Sequence, residues 1–162
     1  FDINLRLPLW KDPADLYAAV HEFLPLADII KISDDELAFV TGESDPARGI
    51  PQLFQGHVKY VVYTCGANGA AIYDQHGERG RTNAYRVSAV DATGAGDAFI
   101  GGLLAEIAHL GLSVRDDLSD AHIHALLDHA AKVGAITTLQ RGAINSMPDR
   151  ARLQDFPAGK PE

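Results

Sequence analysis

The sequence predicts an α/β layered fold: a mainly parallel sheet with some antiparallel strands in its middle, flanked by helices. Short β-branched runs alternate with stretches of helical spacing along nearly the whole chain, the pattern of strands connected by helices. Gly, Pro, Asn and Asp punctuate the boundaries between them. With 162 residues, 46% of them hydrophobic, the chain has enough apolar content to bury a core. It shows no internal repeat, low-complexity tract or interdomain linker, and so reads as a single domain.

The elements follow in order. Phe1-Asp2-Ile3-Asn4-Leu5 is extended, and Pro13 sits where a first helical turn tolerates it, with Leu16, Ala19, Val20, Phe23 and Leu24 at helical spacing behind it. Ile29-Ile30-Lys31-Ile32 predicts a strand. Ser33-Asp34-Asp35-Glu36 is a capping box opening a helix over Leu37, Phe39 and Val40, with Gly42 as its stop. A short helix is expected over 46–55. Val58-Lys59-Tyr60-Val61-Val62-Tyr63 predicts a strong strand, and Gly69-Ala70-Ala71-Ile72-Tyr73 and residues 79–87 predict two more, separated by a turn-rich stretch. Ala98, Ile100, Leu103, Leu104 and Ile107 line one face of a helix over 95–110, ended near Gly111. Ile123, Leu126, Leu127, Ala130 and Val133 do the same for a helix over 119–137, and a last short helix is expected over 148–155.

Composition narrows the function. The 14 basic and 22 acidic residues leave a net charge of −8, which disfavours non-specific nucleic-acid binding while permitting a local anion site. The single Cys65 cannot form an intrachain disulfide. No apolar run approaches the roughly 18–20 residues of a membrane span, and the N-terminus lacks a signal pattern, so the expected location is cytoplasmic. The chain opens without Met on a strand already under way, which reads as a fragment of a longer protein.

Val90-Asp91-Ala92-Thr93-Gly94-Ala95-Gly96-Asp97-Ala98-Phe99 carries the chemistry. It follows a strand expected over 85–90 and opens the long helix. There the backbone N–H groups of Gly94, Ala95 and Gly96 would be unpaired donors with the positive end of the helix dipole behind them, a geometry suited to phosphate. The chain contains no Walker A loop, and Phe99 stands where G-x-G-x-x-G would need its last glycine. Asp97, in the first turn beside that hole, is placed to take the proton of an attacking hydroxyl; the bland alternative is a first-turn acid after a tight turn. His122, His124 and His129 lie on one helix without metal-ligand spacing, and Cys65 has no partner pattern that would make it a nucleophile.

This motif is similar to the C-terminal signature of the ribokinase-like (PfkB) carbohydrate kinases, commonly D-T-[TA]-G-A-G-D-x-F, with Ala92 in place of the frequent Thr. The resemblance extends along the chain. Phe1-Asp2-Ile3-Asn4-Leu5-Arg6-Leu7-Pro8-Leu9-Trp10 is similar to the F-D-x-N-x-R-x-x-L-W segment of the fructokinase branch. Lys31-Ile32-Ser33-Asp34-Asp35-Glu36 resembles its K-x-S-x-x-E, Thr64-Cys65-Gly66-Ala67-Asn68-Gly69 resembles T-x-G-x-x-G, and Gln140-Arg141-Gly142-Ala143 resembles the late R-G-A loop.

The resemblance implies a ribokinase-like three-layer sandwich, with residues 1–162 as its C-terminal nucleotide-binding and catalytic portion and the family's N-terminal half and β lid absent from them. It implies ATP-dependent phosphoryl transfer to a sugar hydroxyl, most like fructokinase. The alternatives are a kinase for a 2-keto-3-deoxy sugar acid or a nucleoside, and a catalytically incompetent nucleotide-binding fragment. Asp97 would be the base, and Gly94, Ala95 and Gly96 the anion hole. Asp91, with carbonyls at Thr93, Thr137 and Gly142, would hold a monovalent cation, K⁺; an entry cap is the alternative for Asp91. Ser33 and Glu36 would organise Mg²⁺ and phosphates or simply cap their helix. Thr64, Gly66 and Gly69 would lie along ATP, and Arg6 would pair with phosphate or form a surface ion pair. The expected partner is a small-molecule sugar, without nucleic acid or membrane, and the full-length enzyme is expected as a homodimer. These residues alone are expected to turn over sugar poorly.

Overall fold

A computed structural model of the chain describes residues 1–156. Phe1–Thr64 with Ile72–Arg79 form one compact unit; Cys65–Ala71 with the residues from Gly80 onward form a second.

In the first unit, β1 (Ile29–Ser33) and β2 (Tyr60–Thr64) pair in parallel, from Ile29 opposite Tyr60 to Ser33 opposite Thr64. Ile30, Lys31 and Ile32 are all buried, as are Tyr60, Val61, Val62 and Tyr63. Both faces of these strands are therefore covered, as parallel strands require. The extended opening expected at 1–5 is present as a short paired segment. Asp2 bridges Lys31 in parallel, the Lys31 N–H donates to the Phe1 carbonyl at 2.8 Å, and the Ile3 N–H donates to the Lys31 carbonyl at 3.2 Å. Buried Lys31 is neutralised by Asp2 at 3.1 Å, the arrangement a charge needs when it leaves water.

The sheet runs in the order β1-β2-β3-β4, with β3 (Ala70–Asp74) and β4 (Gly77–Thr82) joined through Gln75-His76 as an antiparallel hairpin demands. The sheet is thus mixed. α1 (Pro13–Phe23) starts where expected, with Pro13 in its first turn and the Asp12 side chain accepting from the Ala14 N–H at 2.8 Å, and it buries Leu16 and Val20. α2 (Asp34–Thr41) ends at Gly42, whose φ of +74° supplies the left-handed stop. The helix expected over 46–55 is broken in two, α3 (Pro46–Gly49) followed by a 3-10 turn at Ile50–Leu53. Pro51 is the cause, since it has no N–H to continue the α-helical ladder.

The second unit is built on α4 (Ala95–His109) and α5 (Asp120–Thr137), followed by α6 (Arg150–Asp155). α5 begins at Ser119, whose hydroxyl accepts from the His122 N–H at 3.2 Å. Leu103 of α4 and Ile123, Leu126, Leu127 and Ile136 of α5 are at most 2% exposed, and burying each contributes roughly 1.5–3 kcal/mol. The two helices cross closely. A methyl group on Gly102 would stand 2.8 Å from Val133 Cγ2, and one on Gly134 would stand 3.3 Å from the Ala95 carbonyl oxygen. α5 therefore braces the very start of α4.

The strand expected over 85–90 is absent, and the one expected over 79–87 is present only in its first part, as β4. Residues 83–90 carry the alternation of a strand, with Tyr85 buried and Arg86 exposed, but among the described residues β4 stops at Thr82 and nothing pairs with the stretch beyond it. The segment is covered by helices instead. Tyr85 donates to Asp128 Oδ1 of α5 at 2.8 Å and its ring meets Phe156 edge-on at 5.4 Å. Burial raises the Tyr85 phenol well above its ordinary value, with the Asp128 hydrogen bond and charge adding to it, so the phenol stays a donor. The N–H groups of Val90 and Asp91 both donate to the Thr138 carbonyl, at 2.7 and 3.1 Å. Among the described residues, no helix is long and apolar enough to cross a membrane.

Candidate active site

The first unit gathers Arg6, Ser33, Glu36 and Thr64. Ser33 and Thr64 are register partners at the C-terminal ends of two parallel strands, the place where open α/β sheets present their ligand sites. Glu36, in the first turn of α2, is only 8% exposed. Its Oε2 accepts from the Ser33 N–H at 2.9 Å, the expected capping-box bond. Its Oε1 accepts from the Leu5 N–H at 2.8 Å, a partner 31 positions upstream that no local pattern announces. Just before Leu5, Asn4 has a φ of +46° and is the one non-glycine residue with positive φ among the described residues. Arg6 is exposed, and its Nη1 donates to the Leu5 carbonyl at 2.9 Å.

The second unit gathers the motif around Asp97. Gly94 caps α4 in the left-handed region, at φ +80°, and no side chain caps that end. A Cβ at Gly94 would sit 2.7 Å from Ala143 Cβ, so the backbone there is pressed against the R-G-A loop. Asp97 is exposed in the first turn, where the positive end of the helix favours a carboxylate. The expected trio of amide donors is only partly free, because the Ala95 N–H donates to the Ala92 carbonyl at 3.1 Å.

Asp91 is held from three directions. Its N–H meets the α5 C-terminus through Thr138. Its Oδ1 accepts from the Thr93 N–H at 2.9 Å and the Thr93 hydroxyl at 2.6 Å, while Oδ2 accepts from the Gly142 N–H at 3.1 Å. Those bonds, the Thr93 hydroxyl first, lower the Asp91 carboxyl to about 2. The structure thus brings Asp91, Thr93 and Gly142 together. Thr137 lies one residue before Thr138, fully buried, with its hydroxyl turned back to the Val133 carbonyl at 2.9 Å. Ser146, also fully buried and not foreseen, donates from its hydroxyl to the Gly142 carbonyl and to the Ala143 carbonyl, the latter at 2.8 Å. A Ser four residues after the loop glycine was the available signal.

Gly66 and Gly69 flank a 3-10 turn at Gly66–Asn68, closed by the Cys65 N–H on the Gly69 carbonyl at 2.8 Å. Gly69, at φ +94°, admits no side chain: a Cβ would lie 2.0 Å from the Thr82 carbonyl oxygen. Among the described residues no cluster of His, Cys, Asp and Glu could bind a metal, and His129 instead faces Glu106 at 3.5 Å.

The chain belongs to the pfkB family of carbohydrate kinases, whose pattern it matches over residues 1–150. It is similar to probable fructokinase-7 of Arabidopsis thaliana, 39% identical over 159 residues that cover 96% of this chain and 45% of that protein. A double-mutant fructokinase of Vibrio cholerae O395, solved with fructose, ADP and potassium, superposes with a TM-score of 0.85 at 35% identity over 96% of this chain and 49% of that one. Aminoimidazole riboside kinase of Salmonella enterica, solved with aminoimidazole riboside and an ATP analogue, gives a TM-score of 0.83 at 31% identity, covering 96% and 50%. These neighbours bear out the expected ribokinase-like fold. The chain spans about half the length of the relatives it matches.

Proposed function

We propose that this chain is the C-terminal, nucleotide-binding and catalytic portion of an ATP-dependent sugar kinase that phosphorylates fructose. The observation that carries the reading is Asp97 standing exposed in the first turn of α4, directly after the left-handed Gly94 turn. In this reading the Asp97 carboxylate takes the proton from a sugar hydroxyl. That oxygen forms its bond to the γ-phosphorus while the bond from phosphorus to the bridging oxygen breaks, and ADP leaves with the electron pair. The backbone at Gly94 and Gly96 stabilises charge on the transferred group; the Ala95 N–H contributes only by releasing Ala92. Thr64, Gly66 and Gly69 line the nucleotide, and Arg6 pairs with phosphate.

Asp91 and the carbonyls of Thr93, Thr137 and Gly142 are the residues assigned to a potassium ion. The donor set fits a hard cation: all ligands are oxygens, and the carboxylate is held ionised by its neighbours. Mg²⁺ would travel with ATP, neutralising phosphate charge. Binding of both ions removes the need for a basic surface on a chain of net charge −8. The partner is a small sugar, and the full-length enzyme is proposed as a cytoplasmic homodimer. A nucleoside acceptor is the second reading, favoured by the likeness to aminoimidazole riboside kinase.

The test is Asp97→Asn in the full-length protein, assayed by ADP release with fructose and with nucleosides. The variant is expected to lose at least about 10³-fold in kcat while its nucleotide affinity stays within about threefold, as for a base acting in the transition state. Near-normal kcat refutes the role. Equal rates in sodium, potassium and bulky organic cations refute the cation assignment.

A further inference from the structure

We propose that Lys31 is a positioning residue. Its buried ammonium, paired with Asp2, selects the register in which residues 1–5 lie along β1, and so the place at which Arg6 stands. The phosphate role of Arg6 rests on the sugar-kinase reading above; the register key does not.

Lys31 holds the opening segment at three points. Its N–H donates to the Phe1 carbonyl at 2.8 Å, its carbonyl accepts from the Ile3 N–H at 3.2 Å, and its Nζ stands 3.1 Å from Asp2 Oδ1. The two backbone bonds do not choose a register, because every residue except proline offers the same groups. Nor do the apolar side chains choose fully. Phe1, Ile3 and Leu5 alternate with Asp2 and Asn4, so a one-residue slip turns the apolar set to the wrong side. A two-residue slip does not: it puts Leu5 where Ile3 is and Ile3 where Phe1 is. That slip, however, puts Asn4 opposite Lys31. An amide cannot neutralise an ammonium, and Lys31 is only 6% exposed, so the slipped segment would bury an unpaired charge. Downstream, the Leu5 N–H donates to Glu36 Oε1 at 2.8 Å, again through a group that any residue but proline would supply there. The bend at Asn4, with φ +46°, favours the same register through the tolerance of Asn for left-handed backbone, a smaller preference than the cost of a buried unpaired charge. A two-residue slip would carry Arg6 about 6.6 Å along the strand direction.

Moving the acid tests the key. Asp2→Asn combined with Asn4→Asp keeps composition and charge but offers Lys31 its partner two residues later. In the full-length protein, nuclear Overhauser contacts to residue 31 are expected to pass from the Ile3 amide to the Leu5 amide, in a second set of resonances. Contacts that stay wholly with Ile3 overturn the proposal. Should that variant fail to fold, Lys31→Met combined with Asp2→Leu decides, since it replaces both charges with apolar side chains of similar size. Two sets of resonances are then expected, one for each register, and a single set with Ile3 contacts overturns the key. Failure of both variants to fold also overturns it, because neither leaves a buried charge unpaired in the slipped register. In steady-state kinetics the swapped variant is expected to lose at least about fivefold in kcat/KM for ATP, and adding Arg6→Ala to it to change that ratio by no more than about twofold. A register that moves without such a loss removes the phosphate role from Arg6 and leaves the key standing. If wild type neither binds ADP nor transfers phosphate, the sugar-kinase reading falls, and the register contacts alone judge the key.

Discussion

Replacing Gly94 with Ala tests whether the backbone before Asp97 is shaped by contact as well as by conformation. Two costs add. At φ +80° any Cβ meets its own backbone, a penalty of roughly 1–2 kcal/mol. The new methyl would also lie 2.7 Å from Ala143 Cβ and 3.2 Å from Ala143 Cα, so either the 141–143 loop or the start of α4 must shift, about 1–3 kcal/mol more by analogy with overpacked cores. Gly111→Ala is the control, because Gly111 is also left-handed at φ +64° yet a Cβ there meets nothing within 4 Å. Urea unfolding of both variants, compared at constant m-value, isolates the collision as the difference between them. Gly94→Ala is expected to lose about 2–5 kcal/mol and Gly111→Ala only the conformational share of about 1–2 kcal/mol. Equal losses would show that Ala143 does not constrain Gly94. A loss under about 0.5 kcal/mol for Gly94→Ala would refute the left-handed cap as well.

Asp91 makes the site loop acid-sensitive in a defined window. Its hydrogen bonds lower the folded carboxyl from 3.8 to about 2, so the stabilisation is fully present above about pH 4 and is lost as pH falls through 2. The stability gap between wild type and Asp91→Asn is expected to be constant from pH 7 to about 5 and to close between about 4 and 2; a gap independent of pH down to 2 sinks the assignment. Tyr85→Phe keeps the ring against Phe156 but removes the bond to Asp128 Oδ1. It is expected to cost about 1–2 kcal/mol in thermal or urea unfolding, and a neutral result would mean that the 83–90 segment is anchored elsewhere.

The elements that the sequence announced best are those whose signals are local. The helix expected over 119–137 is observed at Asp120–Thr137 with Ser119 as its cap, because one hydroxyl and a regular apolar stripe specify both its start and its buried face. Gly42 likewise marks the end of α2 through its own backbone. The segment at 83–90 misled for a physical reason. Alternation says that one face is buried without saying what buries it, and here the cover is α5 and Phe156 in place of a neighbouring strand. The break at Pro51 was legible in principle, since a missing N–H interrupts a helix whatever the surrounding propensity.

The candidate site divides along the same line. Gly94 and Asp97 could be singled out because left-handed turns and first-turn acids select particular residue types, so the sequence carries the geometry. What places Asp91 is mostly invisible there. Its amide is held by the Thr138 carbonyl, its carboxylate by the Gly142 N–H, and the Gly142 loop by the Ser146 hydroxyl. Backbone carbonyls and amides belong to every residue, so nothing in the composition of these stretches encodes the contact. The consequence is mechanical. The C-terminus of α5 has carbonyls that no helical N–H can satisfy, and the loop leading to α4 supplies the missing donors, while Gly134 of α5 lets the start of α4 approach to backbone distance. The glycine-rich turn is therefore held at both ends by one helix, and a substitution in α5 far from any phosphate, such as Gly134→Val, should disturb the motif as surely as a change within it.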